Sequence, residues 1–406
     1  MGLIVHKYGG TSVADIEKIR NVATKVIKAK KDGNDVIVVL SAMAGETDKL
    51  IQLAFQASDD PVGREYDSLI STGEQVTVSL LSMILNKMGY RTKSFLGYQI
   101  RILTDKNYKN ARILDIETKA IENELQKGSI IVVAGFQGVD EDNNITTLGR
   151  GGSDTSAVAL AAALKAHACY IYTDVNGVYT TDPGICEKAR RLSKISYDEM
   201  LEMARAGAKV LHPRSVELAK KYGVPVYVKS TFIDDEGTLV VKEDKDMEKE
   251  VVSGVSYDRD QAKITVSHVP DKPGIAASLF TPLAQKNIVV DMIIQNASSE
   301  GYTDLTFTVS KKEIKEAQQI VEETAQYIGA AKVEVDDTVA KISIIGVGMI
   351  SHSGVAAKMF AALSNEGINI MMISTSEIKI SCVIKAKYTE LAVMVLHETF
   401  GLDQKA

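Results

Sequence analysis

The chain lacks several features that would place it in a protein class at once. Its 406 residues contain no tryptophan and three cysteines, Cys169, Cys186 and Cys382, an odd and widely spaced set without a Cys-x-x-Cys pair. This set predicts reduced thiols and a cytoplasmic location, because a disulfide framework needs paired cysteines. The six histidines are scattered without the spacing of metal ligands, so no metal site built by the protein is expected.

Long apolar runs and basic clusters are also missing. No stretch approaches the roughly 20 apolar residues of a membrane span. The N-terminus leads directly into a polar loop, which predicts no signal peptide. The net charge is −6, and no basic block is interleaved with aromatic residues. Neither a membrane nor a nucleic acid is therefore expected as a partner.

Two familiar phosphoryl-transfer signatures are absent. The pattern Gly-x-x-x-x-Gly-Lys-Ser/Thr needs a Gly-Lys pair, and the chain contains none. A kinase-type His-Arg-Asp motif is missing too. Any nucleotide chemistry must therefore use a different loop.

The first part of the chain alternates strand and helix patterns. Leu3–Val5, Val36–Leu40 and Ile130–Ala134 are apolar runs typical of buried strands, and helical periodicity lies between them, as over Asp15–Lys31. Apolar strands separated by helices predict an α/β fold with a three-layer, mostly parallel sheet. Ligands bind such sheets beyond the carboxyl ends of the strands.

The length predicts two or three domains. Gly274 and Gly354 start similar segments 80 positions apart (354 − 274), a period too long for a solenoid. Each segment therefore fits a small α+β, ferredoxin-like domain. The expected organisation is a catalytic domain over 1–241, a charged linker over 242–260, and two small domains over 261–337 and 340–406.

The most informative segment is the turn Lys7-Tyr8-Gly9-Gly10-Thr11-Ser12 between the first strand and the first helix. Bare backbone N–H groups, a helix N-terminus and a lysine together make a phosphate site in outline. Taken alone, such a turn more often serves only as a turn and a helix cap.

Two further segments combine glycine and hydroxyl residues with charged side chains. Gly149–Ser156 opens an alanine-rich helix, and its Arg150 can bind a carboxylate or phosphate through two parallel bonds. The alternative is a plain helix capped by Ser153 or Asp154. Ser71-Thr72-Gly73-Glu74, taken by itself, is best explained as a capping box. The Glu74 carboxylate could equally hold a substrate amine.

The loop Thr173–Pro183 follows a strand and suits the ribose and base of a nucleotide. Its Asn176-Gly177 pair also predicts a β-hairpin, and a rigid hairpin could carry a ligand.

Together with Ser41-Ala42-Met43-Ala44, these segments resemble the motifs of the aspartokinase family, in the family's order and over essentially the whole chain. The paired repeat resembles the family's two regulatory ACT domains. The resemblance implies transfer of the γ-phosphoryl group of Mg-ATP to the side chain of L-aspartate, giving 4-phospho-L-aspartate on the way to lysine, threonine, methionine and diaminopimelate. A carboxylate with a pKa near 3.9 is already ionised at neutral pH, so this reaction needs no general base.

The resemblance also assigns roles to residues. The expected catalytic residues are Lys7, Asp154 and Lys209. The expected ATP site consists of Lys7, Tyr8, Gly9, Gly10, Thr173, Asp174, Tyr179, Asp182, Pro183, Lys209 and Val210. The expected aspartate site consists of Ser41, Thr47, Glu74, Arg150, Gly151, Gly152, Ser153 and Asp154. Within it, Arg150 would hold the α-carboxylate and Glu74 the ammonium.

The family's ACT domains imply feedback inhibition by lysine, threonine or both, in a homodimer or larger oligomer. The expected effector residues of the first repeat are Asp271, Pro273, Gly274, Ile275, Asp291, Met292, Ile293, Gln295 and Asn296. Those of the second are Met349, Ser353, Gly354, Asn369, Ile370, Ser376 and Glu377. Because Met371 replaces Asp291 in the second repeat, the two sites are not expected to bind identically.

An internal start at Met247 would produce a short regulatory subunit, as in some family members of this length. The alternatives are another amino-acid or carbamate kinase of the same fold and a non-catalytic amino-acid sensor. A dinucleotide-binding oxidoreductase, suggested by Gly346-Val347-Gly348, is disfavoured because the third glycine of that motif is missing.

Overall fold

The computed structural model describes residues 2–208, 210–243, 251–296 and 301–404. Lys209 and Met247 lie outside these residues. The chain divides into two compact units. The first comprises Met1–Tyr179, Arg191–Ala204 and Lys209–Met247, and the second Thr180–Arg190, Arg205–Ala208 and Glu248–Ala406.

An eight-stranded sheet forms the centre of the first unit. Its strands are β1 (Leu3–Tyr8), β2 (Asp35–Leu40), β3 (Thr92–Phe95), β6 (Ile130–Ala134), β9 (Ala168–Thr173), β10 (Lys194–Ser196), β11 (Val226–Ser230) and β12 (Thr238–Val241). Their order is β10-β12-β11-β9-β1-β2-β6-β3. Only the β11–β12 pair is antiparallel, which confirms the mostly parallel sheet.

A smaller sheet and eight described α-helices complete this unit. The sheet has the order β5-β4-β7-β8 and consists of β4 (Ile102–Thr104), β5 (Ile113–Ile116), β7 (Gln137–Val139) and β8 (Ile145–Thr147). The helices are α1 (Ile16–Lys31), α2 (Glu46–Ala57), α3 (Arg64–Ile70), α4 (Thr72–Lys87), α5 (Lys119–Gln126), α6 (Gly152–Ala163), α7 (Tyr197–Arg205) and α8 (Pro213–Tyr222).

Helix α1 illustrates how the local sequence produces an element. The Asp15 side chain accepts the Lys18 N–H at 2.8 Å and caps the helix start. Ile19, Val22 and Val26 lie on one face of the helix and are fully buried against the sheet. Each contributes about 1.5–3 kcal/mol to the stability of the fold.

The stretch Arg64–Lys87 is long and apolar enough to cross a membrane by composition. It consists of two helices, α3 and α4, and half of its most apolar window is buried in the structure. A buried core helix of a water-soluble domain has this composition too.

The central strands end at one level of the sheet. Tyr8 lies beside Leu40 and Tyr172, and Leu40 lies beside Ala134. The turns that follow β1, β2, β6 and β9 therefore share one edge, as the strand pattern predicts.

The second unit is one six-stranded sheet with four helices among its described residues. Its strands are β13 (Gly254–Pro270), β14 (Ile293–Gln295), β15 (Tyr302–Val309), β16 (Lys332–Ile345), β17 (Met372–Thr375) and β18 (Lys379–Lys385). Its helices are α9 (Ile275–Gln285), α10 (Ile314–Ile328), α11 (Val355–Asn365) and α12 (Thr389–Thr399). The strand order is β14-β15-β13-β16-β18-β17.

The internal repeat is visible in this sheet. Helices α9 and α11 both follow a glycine with positive φ, Gly274 at 93° and Gly354 at 88°. The long strands β13 and β16 pair with each other and serve both repeats. The Gly254 end of β13 therefore forms a strand of the second repeat. This strand end precedes the first repeat in the sequence.

The expected linker needs a correction at this point. Strand β13 begins at Gly254, inside the stretch assigned to the linker. Val252 and Val255 are buried in the hydrophobic core of the second repeat. The C-terminal part of the predicted linker therefore belongs to the second repeat.

Candidate active site

Lys7 and Asp154 form an ion pair at the shared sheet edge. The Lys7 Nζ lies 2.6 Å from Asp154 Oδ1, and the two side chains are 12% and 11% exposed. Lys7 is the penultimate residue of β1. Asp154 lies in the first turn of α6, where the helix dipole favours a negative charge. The structure thus brings together two of the three predicted catalytic residues, and the third, Lys209, lies outside the described chain.

The glycine turn differs in part from its prediction. The Gly9 N–H donates to the Tyr172 carbonyl at 3.2 Å, so the backbone donor expected to bind phosphate is already engaged. Tyr8 is fully buried and its ring stacks on Tyr172 at 4.6 Å between centroids. Only the backbone of Tyr8 can therefore face a nucleotide.

Gly10 packs closely on the turn after β2. A Cβ atom at Gly10 would lie 3.0 Å from the Ala42 carbonyl oxygen. The turns after β1 and β2 therefore touch each other.

Glu74 is buried, and it takes no part in a capping box. The Ser71 hydroxyl donates to the Ser68 carbonyl at 2.9 Å and makes no cap bond to α4, so the favoured local interpretation was wrong. Glu74 Oε1 instead accepts the Ala42 N–H at 3.0 Å. Tertiary packing thus turns this side chain towards the sheet edge.

The second oxygen of Glu74 is buried without a partner. Glu74 is 2% exposed, and its Oε2 has no hydrogen-bond partner among the described residues. Burial raises the pKa of Glu74 to about 8, against the smaller opposing effect of the Ala42 hydrogen bond. A cation at Oε2 would satisfy this atom and favour the ionised carboxylate.

Arg150 stands on a loop shaped by glycines. Gly149 and Gly151 have φ values of 75° and 69°, which favour glycine. Gly151 is the N-cap of α6 and no side chain caps this helix, so the capping alternative for Ser153 and Asp154 was wrong. Arg150 is exposed, and within the described ranges no hydrogen bond or ion pair engages its guanidinium.

The remaining predicted aspartate-site residues lie around these loops. Ser41 follows β2, and its N–H donates to the Tyr8 carbonyl at 3.2 Å. Thr47 lies in the first turn of α2 and Gly152 begins α6. Ser153 is 8% exposed and packs so closely on Gly135, after β6, that a Cβ there would lie 2.9 Å from its hydroxyl oxygen.

The loop after β9 is not the predicted hairpin. Between Thr173 and Lys194 the described residues form no strand, only an isolated bridge between Tyr179 and Arg191. The Val178 N–H donates to Thr238 Oγ1 at 2.8 Å, and Asn176 donates to the Asp235 carboxylate at 2.8 Å. These bonds to the region of β12 replace the bonds of a hairpin.

The predicted ATP residues are divided along the chain. Thr173, Asp174 and Tyr179 belong to the first unit, whereas Asp182 and Pro183 belong to the second. The Asp182 carboxylate accepts the Tyr257 hydroxyl at 2.7 Å and the Gly184 N–H at 2.8 Å. Val210 lies in a turn of the first unit beside the undescribed Lys209, and the ATP roles of these residues stay predictions.

Sequence reasoning missed the residues that support the site from remote positions. Asp67 is fully buried and accepts the N–H groups of Lys109 at 3.0 Å and Thr147 at 2.6 Å. His212 packs on Gly151, and Arg214 binds carbonyls next to the Arg150 loop. Their partners lie far away in sequence, so no local pattern could reveal them.

Within the described chain, no group of three or more histidine, cysteine, aspartate or glutamate side chains is placed to hold a metal ion.

The predicted effector residues lie in the second unit. The Asp291 carboxylate forms an ion pair with Lys341 on β16, whose side chain is 4% exposed. Met292 is buried with Val339, Met372 and Val383 from the other repeat. Gly274 and Gly354 cap helices, and most of the other predicted effector residues are exposed or half-buried.

Comparison with known proteins agrees with this arrangement. A model of the amino acid kinase family matches residues 2–230, and ACT domain models match 264–329 and 342–400. An aspartate kinase of Pseudomonas putida is 56% identical over 407 residues, which cover 100% of this chain and 99% of the relative. The chain belongs to the aspartokinase family.

Solved aspartokinases share the fold. The crystal structure of Escherichia coli aspartokinase III with aspartate and ADP is 28% identical, with a TM-score of 0.82 over 98% of this chain and 99% of that one. The same enzyme with lysine and aspartate is 27% identical, with a TM-score of 0.77 over 98% and 99%.

Proposed function

We propose that this aspartokinase-family chain transfers the γ-phosphoryl group of ATP to the side-chain carboxylate of L-aspartate, giving 4-phospho-L-aspartate. The observation that carries the proposal is the set of charges at one sheet edge: Lys7 paired with Asp154, the unengaged Arg150 and the buried Glu74. The Pseudomonas putida relative is named an aspartate kinase, and the Escherichia coli structure holds aspartate and ADP.

Lys7 would neutralise charge on the transferred phosphoryl group, since phosphoryl transfer depends on positioning and electrostatic stabilisation. Asp154 would hold the Lys7 ammonium at the correct position before ATP arrives. Mg²⁺ usually keeps several waters and binds through one or two carboxylates and the substrate phosphates. The absence of a three-ligand cluster in the described part of the chain fits a cation that arrives with ATP.

Arg150 and Glu74 would select the substrate. Arg150 can bind the α-carboxylate through two parallel bonds. The free Oε2 of Glu74 would accept the substrate ammonium. An N-acylated acid would leave this buried oxygen without a partner, which costs about 1–3 kcal/mol. The same atom therefore disfavours an N-acylated acid as substrate.

We also propose feedback regulation by lysine, threonine or both through the second unit. Asp291 gives the first repeat a carboxylate for an effector ammonium, and the Escherichia coli relative was solved with lysine. ACT repeats would pair in a homodimer or larger oligomer, with a short regulatory subunit started at Met247. The reaction would open a cytoplasmic route to lysine, threonine, methionine and diaminopimelate.

The test is a coupled ADP-release assay with the full chain and Mg-ATP. We expect turnover with L-aspartate and little with N-acetyl-L-aspartate, and inhibition by lysine, threonine or the two together. Equal turnover with both acids would contradict the role of Glu74. Turnover unchanged by either effector would contradict the regulatory proposal.

A further inference from the structure

The loop that carries Arg150 is supported by helix α8, which takes no part in the proposed chemistry. Gly149 and Gly151 have positive φ values of 75° and 69°, a conformation that glycine adopts without steric cost, so the two glycines by themselves restrict the path of the loop only weakly. Among the described residues, no hydrogen bond or ion pair holds the Arg150 guanidinium. The position of the Arg150 side chain therefore depends on the contacts that hold the Gly149–Gly152 loop.

His212 supports one side of the loop. A Cβ atom at Gly151 would lie 2.3 Å from His212 Cβ and Cγ, so the histidine packs directly on the Gly151 backbone. The His212 carbonyl accepts the Ser215 N–H at 3.0 Å, and Pro213 begins α8. The imidazole is thus carried by a rigid helix start.

Arg214 supports the other side. Its Nη1 donates to Asn110 Oδ1 at 2.8 Å and to the Leu148 carbonyl, and its Nη2 donates to the Ala111 carbonyl at 2.7 Å. Leu148 directly precedes Gly149. The guanidinium therefore anchors the start of the loop to a neighbouring loop, with a fork geometry that lysine cannot reproduce.

The electrostatics of His212 fit a supporting role. Burial lowers the pKa of His212, Asp154 opposes this effect, and Arg214 and Arg150 add to it. A lowered pKa favours the neutral imidazole, which does not repel the two guanidinium groups. The His212 Nδ1 is buried without a hydrogen-bond partner among the described residues. The ring therefore supports the loop mainly by packing on Gly151.

We propose that His212 and Arg214 are positioning residues that hold the Gly149–Gly152 loop so that Arg150 meets the substrate α-carboxylate. This inference rests on the proposed aspartate kinase function and deepens it. Neither side chain touches the reacting atoms, and both act through Arg150.

The first test measures steady-state kinetics of the full chain with Mg-ATP. We expect His212→Ala and Arg214→Lys to raise the KM for aspartate about tenfold, while kcat and the KM for ATP change less than about twofold. His212→Phe keeps a ring against Gly151 and should restore most of the affinity. His167 is an exposed histidine just before β9, and His167→Ala is the matched control that should behave like the wild type.

A double-mutant cycle separates positioning from general stabilisation. In an Arg150→Ala background, His212→Ala should raise the KM for aspartate no further. An equal additional rise, or a parallel loss of kcat and ATP affinity, would overturn the inference. A His212→Phe variant as weak as His212→Ala would also overturn it. A wild-type chain without aspartate-dependent ADP release would overturn the proposed function as well.

Discussion

At the residue scale, the site depends on charges whose environments differ. Lys7 and Asp154 neutralise each other at the sheet edge, whereas Arg150 is exposed and Glu74 is buried with one free oxygen. Arg150 and Glu74 have groups without partners before substrate binds, so they can select the substrate. The Lys7–Asp154 pair is suited to the phosphoryl transfer itself. This difference leads to separate kinetic predictions.

Replacing Lys7 should affect turnover more than binding. Lys7→Ala removes the cation that opposes charge on the phosphoryl oxygens, so kcat should fall about 100-fold or more. The KM for aspartate should change little, as steady-state ADP release can show. Lys31→Ala, an exposed lysine at the end of α1, is the control. An intact kcat with a raised aspartate KM would contradict this role.

Glu74 should make both stability and substrate binding depend on pH. Its pKa is raised from 4.5 to about 8 by burial, so the folded state holds a proton that the unfolded state releases between these values. Glu74 therefore destabilises the fold as pH rises from about 4.5 to 8. Glu74→Gln should raise the midpoint of thermal unfolding at pH 8.5 relative to the wild type, with a smaller difference at pH 5.

The same variant should lose substrate affinity. An ionised Glu74 binds an ammonium, so the wild-type KM for aspartate should rise as pH falls below about 8. The Glu74→Gln variant should have a high KM that lacks this pH dependence. A variant that keeps the wild-type profile would show that another group titrates.

At the scale of elements, the site is made by loops that pack closely where strands end. Gly10 and Gly73 both lie against Ala42, whose N–H binds Glu74. The start of α4 is thereby fixed to the turn after β2. A Cβ atom would lie 2.7 Å from the Ala42 Cβ at Gly73 and 3.0 Å from the Ala42 carbonyl oxygen at Gly10, so both contacts favour glycine.

Gly73→Ala should disturb this contact. The new Cβ would lie 2.7 Å from Ala42 Cβ, and overpacking costs about 1–3 kcal/mol. Alanine gains about 1 kcal/mol in helix propensity, which does not offset the larger part of that range. We expect a raised KM for aspartate and a lower free energy of unfolding. Ser79→Ala, on the exposed face of α4, should change neither, and a wild-type KM for Gly73→Ala would contradict the argument.

At the scale of the whole molecule, the second unit couples its two repeats. Lys341 on the shared strand β16 pairs with Asp291 of the first repeat, and Met292 packs with Met372 and Val383 of the second. An effector bound at Asp291 would therefore act on residues of both repeats.

Asp291→Asn should raise the lysine or threonine concentration that gives half inhibition at least tenfold, with kcat unchanged in the absence of effector. It should also lower the free energy of unfolding by about 1–3 kcal/mol, less than for a fully buried pair, because Asp291 is 37% exposed. Asp291→Asn combined with Lys341→Met removes the unpaired buried ammonium. The double variant should regain stability but not inhibition, and recovery of both would place the effector elsewhere.

The sequence by itself determined the fold class and the repeat, and it predicted the charged residues of the candidate site. Apolar strand runs and helical periodicity are local properties, and parallel strands place their following loops at one edge. Only the tertiary structure decided which of those groups are free. The Tyr172 carbonyl accepts the Gly9 N–H, and the buried Glu74 carboxylate accepts the Ala42 N–H. The Thr238 hydroxyl accepts the Val178 N–H in place of the hydrogen bonds of the predicted hairpin. Each partner lies tens of residues away, where a local pattern carries no information.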